Sequence, residues 1–215
     1  GIESGVLYLE RGLFIAFEGI DGSGKSTQVK MLANILDKDG KDVMITREPG
    51  GTRIGAQLRK LLLDAENKEI VFRAEALLYA ADRAQHVEEK ILPALQKGKI
   101  VICDRYTDST IAYQGGGRGM DGEILVSLNE IATAGLYADL VLILDVSPEI
   151  GLRRVKANDI VDRLESENLK FYQRVRKTYL ELAAYNGRYR VINANLSPED
   201  VHMQVLCEVR KLLNG

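Results

Sequence analysis

The sequence predicts an α/β fold in three layers, with a five-stranded parallel sheet flanked by helices. Three observations predict it. Five short apolar runs are spread along the chain, each run is near-continuous rather than alternating, and segments of helical length separate them. Continuous apolar content marks strands covered on both faces. Helix-length intervals between such strands indicate crossover connections, and these make parallel neighbours.

The strands are "LFIAFEG" (Leu13 to Gly19), "DVMITRE" (Asp42 to Glu48), "KIVICDR" (Lys99 to Arg105), "DLVLILDV" (Asp139 to Val146) and "YRVINAN" (Tyr189 to Asn195). A helix from about Lys25 to Lys38 follows the first. In "EALLYAADRAQH" a helical repeat puts Ala74, Leu77, Leu78, Ala81 and Ala84 or Gln85 on one apolar stripe. Tyr79 and Arg83, four residues apart, then lie together on the opposite face. They are either solvated residues or the lining of a cleft, with the ring stacked on a base and the guanidinium clamping a phosphate. No repeat, low-complexity tract or linker interrupts the chain, so residues 13–215 read as one domain. The opening "GIESGVLYLERG" lacks an initiator Met, and residues 1–12 are set aside as an N-terminal extension or cloning remnant.

A chain of 215 residues with 46% apolar content can bury a substantial core. Its net charge of −2 shows no basic surplus, which argues for a small-molecule substrate and against a nucleic-acid partner. Cys103 and Cys207 are the only cysteines, and His86 and His202 the only histidines. That excludes a disulfide framework and a Cys/His zinc site, and it fits a reducing cytoplasmic setting. The longest apolar stretches, such as "LVLIL", fall far short of the ~20 residues that span a bilayer, so no membrane partner is expected.

"FEGIDGSGKST" (Phe17 to Thr27) carries the chemistry. Gly19, Gly24, Lys25 and Ser26 match G-x-x-x-x-G-K-[ST], between a strand and a helix. Glycines let successive backbone N–H groups curl inward around an anion, and the helix N-terminus adds partial positive charge. Lys25 reaches β- and γ-phosphates, and the Ser26 hydroxyl suits Mg²⁺. The whole loop, Gly19, Ile20, Asp21, Gly22, Ser23, Gly24, Lys25, Ser26 and Thr27, is therefore the expected ATP-binding element. Asp104 closes the third strand beside it, where a carboxylate supports the magnesium shell. Arg105 follows directly, where a transferring phosphoryl group would sit. Arg47 and Glu48 end the second strand. Three strand ends thus deliver charge to one crevice, which favours a kinase over a switch or motor. A P-loop switch or ATP-binding regulator without an acceptor stays open on these residues alone.

The set "FEGIDGSGKST", "TREPGGT", "LLYAADRAQH", "CDRYTDSTIAYQGGGRG" and "DRLE", in order from Phe14 to about Tyr185, resembles the bacterial thymidylate kinases. The resemblance implies a three-layer P-loop kinase fold and transfer of phosphate from ATP to dTMP. It places Tyr79 on the thymine ring, where Phe is commoner, and Arg83 against the base and the monophosphate. Thr110 and Gln114 match polar residues near the base edge, and Tyr113 a tyrosine crowding the sugar 2′ position. Arg105 matches the arginine bridging donor and acceptor phosphates. Glu48 and Arg59 match the acceptor pocket, and Asp21 an acid near the acceptor sugar and the metal. A kinase for another nucleotide is the rival within the class.

Some family members carry a catalytic arginine inside the P-loop. Here those positions are Asp21, Gly22 and Ser23, so the resemblance implies compensation from a short lid, "GLRRVKANDIVDRLESE" (Gly151 to Glu167). Arg154 or Arg163 is the expected catalytic cation, with Arg153 and Lys156 behind, and Asn158 stands where a further lid arginine is frequent. The acceptor phosphate is already anionic, so no general base is expected. Bacterial thymidylate kinases are typically homodimers, and "ILVSLNEIATAGL" (Ile124 to Leu136) is one candidate apolar helix for that contact.

Overall fold

The computed structural model describes residues 11–157 and 162–214. Its five strands are β1 (Phe14–Glu18), β2 (Val43–Arg47), β3 (Ile100–Asp104), β4 (Leu140–Asp145) and β5 (Tyr189–Asn193). They form one sheet in the order β2-β3-β1-β4-β5, with every pairing parallel. The strand that feeds the glycine loop is therefore central. Register pairs Asp104 with both Phe17 and Arg47, so the charged ends of three strands finish at one level.

The helices are α1 (Lys25–Lys38), α2 (Arg53–Leu63), α3 (Phe72–His86), α4 (Leu92–Gln96), α5 (Thr107–Ser109), α6 (Gly122–Thr133), α7 (Pro148–Lys156), α8 (Leu169–Ala184) and α9 (Pro198–Asn214). Two wide, π-type segments, Val87–Ile91 and Thr110–Gly117, join α3 to α4 and continue α5. The second carries "TIAYQGGG", and such widened turns recur at functional sites. No helix among the described residues is long and apolar enough to cross a membrane.

β1, β3 and β4 are buried almost throughout, and Phe14, Ile15, Ala16 and Phe17 are wholly inaccessible. β2 and β5 differ from the expected two-sided cover. They are edge strands, and Ile45 and Val191 remain about half exposed on them.

Helix α3 reverses the expected apolar stripe. Leu77 is 55% exposed, whereas Glu75, Asp82, Arg83 and His86 are buried with Ala76 and Ala80. The inward face is polar because it meets polar partners: Glu48 after β2, the Tyr106 carbonyl after β3, Asn129 on α6 and Arg163. Periodicity located a two-faced helix, but apolarity chose the wrong face as core.

Candidate active site

The phosphate loop is built by backbone geometry. Gly22 and Gly24 adopt φ of 79° and 88°, a region in which a side chain is strained. Ser147, Thr52, Asp121 and Asn168 cap their helices by accepting backbone N–H bonds, but the residue before α1 is Gly24, which caps nothing. The first N–H groups of α1 are thus left for an external anion. Lys25 is buried, and its ammonium donates to the Gly19 and Ile20 carbonyls at 3.1 Å and to the Ser23 hydroxyl at 3.3 Å. Burial, and then the Arg105 charge, pushes Lys25 down to about 8.

Helix α7 touches this loop directly. A Cβ on Gly22 would lie 2.2 Å from the Gly151 carbonyl oxygen, and one on Gly151 would lie 2.8 Å from that of Asp21. Arg154 reaches back from α7 and donates to the Gly22 carbonyl at 3.1 Å and the Ala194 carbonyl at 3.3 Å.

Two clefts meet beyond the strand ends. The first is lined by Gly22, Gly24, Lys25, Ser26, Asp104 and Arg154. The second holds about 570 Å³, its open mouth included, between Pro49, Leu63, Tyr79, Arg83, Thr110 and Gln114. Asp21, Glu48, Arg59, Arg105 and Asp162 wall both.

Arg105 stands at the junction. Its backbone is held at φ 70°. Nη2 donates to Asp21 Oδ1 at 2.8 Å and to the Tyr113 hydroxyl at 3.1 Å, while Nη1 donates to the Gly19 carbonyl at 2.9 Å. The Tyr113 and Tyr172 hydroxyls donate to Asp21 Oδ2 at 2.8 and 3.1 Å. Burial alone would raise the Asp21 carboxyl, but Arg105 and Lys25 outweigh it and hold it below the ordinary range.

Arg83 organises the second cleft. Nε donates to Glu48 Oε2 at 2.7 Å, Nη1 to the Thr110 hydroxyl and Asn129 Oδ1 at 2.8 Å, and Nη2 to the Tyr106 carbonyl at 2.9 Å. Four of its five N–H groups are engaged, leaving one for a ligand. The free N–H suits a single bond to a base edge or to a phosphate oxygen. The other Glu48 oxygen faces His86 Nδ1 at 2.9 Å, and His86 Nε2 lies 2.5 Å from the Thr46 hydroxyl. Since a carboxylate only accepts, Nδ1 carries the proton. Gln114 Nε2 donates to Glu75 Oε1 at 2.8 Å, which fixes which way its amide points. Arg59 donates to the Pro49 carbonyl at 3.0 Å. Tyr79 is half-buried beside them, its phenol pushed up by burial and by the Glu75 charge, and its hydroxyl has no hydrogen-bond partner among the described residues.

Most expected site residues thus converge. Gly19, Ile20 and Ser23 are buried beneath the loop, and exposed Thr27 lies outside the first cleft's wall. Arg163 is the correction. It is buried, with Nε donating to the Leu62 carbonyl at 2.7 Å and Nη2 2.5 Å from Glu75 Oε2. It anchors the segment that precedes α8 to α2 and α3, and it is not among the residues that line the phosphate cleft. Asn158 lies outside the described residues. Sequence reasoning missed Asp162, Glu165, Ser109, Tyr172, Tyr179, Glu18 and His86. Tyr172 and Tyr179, seven apart on α8, share one helical face, and that spacing was readable.

No cluster of three metal-ligating side chains occurs among the described residues. Ser26 and Asp104 in one cleft are oxygen donors of the kind that Mg²⁺ takes when phosphates and water complete its shell.

A phosphate-binding loop beside a second, base-sized cleft, bridged by an arginine, defines a P-loop nucleotide phosphotransferase. A family model described as thymidylate kinase matches residues 17–205. A thymidylate kinase of Pelotomaculum thermopropionicum is 52% identical over 95% of this chain and 96% of its own length. One from Halothermothrix orenii is 50% identical over 94% and 99%, and one from Maridesulfovibrio salexigens 45% identical over 94% and 97%. The chain belongs to the thymidylate kinase family.

Proposed function

We propose that the two adjoining clefts are the donor and acceptor sites of a dTMP kinase, which transfers the γ-phosphoryl group of ATP to dTMP and yields dTDP and ADP. The observation that carries this reading is the shared wall: two arginines, Arg59 and Arg105, border both clefts, and Arg105 also donates to the Gly19 carbonyl of the phosphate loop. The loop from Gly19 to Thr27 holds the ATP phosphates, with Lys25 drawn off its carbonyls onto them. Tyr79 stacks on the acceptor base. Arg83, Thr110 and Gln114 face its edge, Tyr113 the sugar, and Glu48, Arg59 and Asp21 the path between base and phosphate. Ser26 and Asp104 are the residues that would hold Mg²⁺, which supplies charge neutralisation between the phosphates. The acceptor oxygen is anionic, so no side chain need remove a proton. Catalysis is alignment and charge compensation by Lys25, Arg105 and Arg154.

Residues 13–215 act as one domain whose lid, about residues 151–167, excludes water on closing. The unpaired cysteines fit a cytoplasmic enzyme. A homodimer is supported by the exposed Leu77 of α3 and the Ile124, Val126 and Ile131 of the adjoining α6, the last 80% exposed. Ile131→Glu shifts the protein to half its mass in light scattering if these helices form the contact.

A panel of nucleoside monophosphates with ATP, followed by ADP release, tests the function. Preference for dTMP is the expected result, and preference for dCMP or GMP refutes it. Thermal protection by dTMP alone is also expected, since a ligand of the native state raises apparent stability.

A further inference from the structure

Glu18 ends β1, immediately before the glycine that opens the phosphate loop, and it is fully buried. Its Oε1 accepts the backbone N–H groups of Tyr106 at 2.8 Å and Ser109 at 3.2 Å. Its Oε2 accepts the Ser109 hydroxyl at 2.6 Å and the Tyr179 hydroxyl at 2.8 Å. Those two hydroxyls lie 3.2 and 3.3 Å from Arg105 Nη1. Glu18 does not touch Arg105 through any of these bonds; it touches two of the three oxygens that receive Arg105 Nη1, the third being the Gly19 carbonyl.

A hydroxyl has one proton and two lone pairs. An ionised carboxylate only accepts, so Ser109 and Tyr179 each give their single proton to Glu18. Their lone pairs are then turned to the guanidinium. We propose that Glu18 is a positioning residue for phosphoryl transfer, whose ionised carboxylate orients Ser109 and Tyr179 to hold Arg105 between donor and acceptor phosphates. The same carboxylate ties down the backbone from Tyr106 to Ser109, next to the φ of 70° that Arg105 must keep.

Protonation reverses the pattern. A neutral Glu18 donates from one oxygen to one hydroxyl. That hydroxyl turns its own proton to the other hydroxyl 3.0 Å away or toward Arg105, which uses up a lone pair that had faced the guanidinium. Nη1 then keeps the Gly19 carbonyl but loses one of the two hydroxyls that steady it, so its hold loosens. The groups facing Glu18 are Asp108 on α5, Arg105 and Tyr106 after β3, Cys103 on β3, Tyr179 on α8, Lys25 on α1, Arg83 on α3 and Tyr189 on β5. Burial, and then the Asp108 charge, pushes Glu18 up to about 7. The ionised, productive form is therefore lost as pH falls through neutrality.

This inference rests on the assignment of Arg105 to the transfer site. The test is the pH profile of kcat at saturating ATP and dTMP for the parent, Glu18→Gln, the double variant Ser109→Ala/Tyr179→Phe, and Arg105→Ala. The acceptor's own phosphate ionisation adds a limb common to all variants, so the difference between profiles is read. Glu18→Gln is expected to lower kcat at pH 8 by about tenfold to a hundredfold, the loss of one or two charge-assisted bonds. It also removes the limb near neutrality that the parent shows beyond the common one, with KM for both substrates within about threefold. The double variant loses the same limb with Glu18 in place, and it carries the test if Glu18→Gln does not fold. A merely structural acid would lower thermal stability and leave the profile's shape intact. A parent-like limb in both variants, or kcat within twofold of the parent, overturns the inference. An active Arg105→Ala overturns the site assignment instead.

Discussion

Glu48→Gln tests the architecture of the second cleft at its buried ion pair. Glu48 and Arg83 side chains are each 2% exposed and 2.7 Å apart. Glutamine keeps the shape but removes the formal charge opposite the guanidinium. It also replaces two accepting oxygens with one carbonyl and one NH₂, so Arg83 Nε and His86 Nδ1 no longer both find an acceptor. The imidazole can relieve this by moving its proton to Nε2 while Thr46 turns to accept, but the charge is not recovered. Removing one partner of a buried pair costs about 3–5 kcal/mol, and the retained shape puts this substitution at the lower end. For a chain of this length each 1 kcal/mol shifts Tm by roughly 2–4 °C, so a fall of about 6–12 °C is expected. Differential scanning calorimetry reads the fall, and KM for dTMP rises with it while KM for ATP stays near the parent value. Adding Arg83→Met removes the orphaned charge and returns part of the lost Tm. A Tm for Glu48→Gln within about 2 °C of the parent would refute the claim that this pair is an ionic, desolvated contact.

Three further outcomes follow from other contacts. Lys25, at about 8 in the free protein, must be charged to meet phosphate, and its charge is lost as pH rises through that value. ADP affinity by calorimetry should fall about fivefold from pH 8 to pH 9, with proton uptake on binding, and a flat affinity contradicts the sign. Tyr79→Ala should raise KM for dTMP by about tenfold to a hundredfold, the range of one base–aromatic stack, and leave KM for ATP unchanged. An equal rise in both removes Tyr79 from the acceptor site. Arg154→Ala should reduce kcat far more than Arg163→Ala, whose loss appears as lowered Tm because its partners are Glu75 and the Leu62 carbonyl. The reverse order returns Arg163 to the phosphates.

Strand positions and the phosphate loop were legible because their signals are local. An apolar run, a glycine spacing and a following helix need no tertiary knowledge. The acceptor cleft was legible only in part. Tyr79 and Arg83 were placed on one face of α3, but that face lies against Glu48, Asn129 and Thr110, which approach from distant parts of the chain. An apolar stripe predicts burial where the neighbour is apolar, and here the neighbours are charged. Arg163 looked like a lid cation because "DRLE" places it beside Asp162, which does border both clefts. One residue along a turn changes direction, and no periodicity resolves direction in an irregular segment. His86 and Glu18 gave no signal at all, since their roles consist of contacts to residues 38 and about 90 positions away.

The opposition of Gly22 and Gly151 has a mechanical result. Where two main chains lie against each other with no side chain between them, nothing soft is available to absorb a shift. A tilt at the root of α7 would therefore bear directly on the backbone of Asp21 and Gly22, so any movement of this helix would be felt in the glycine loop.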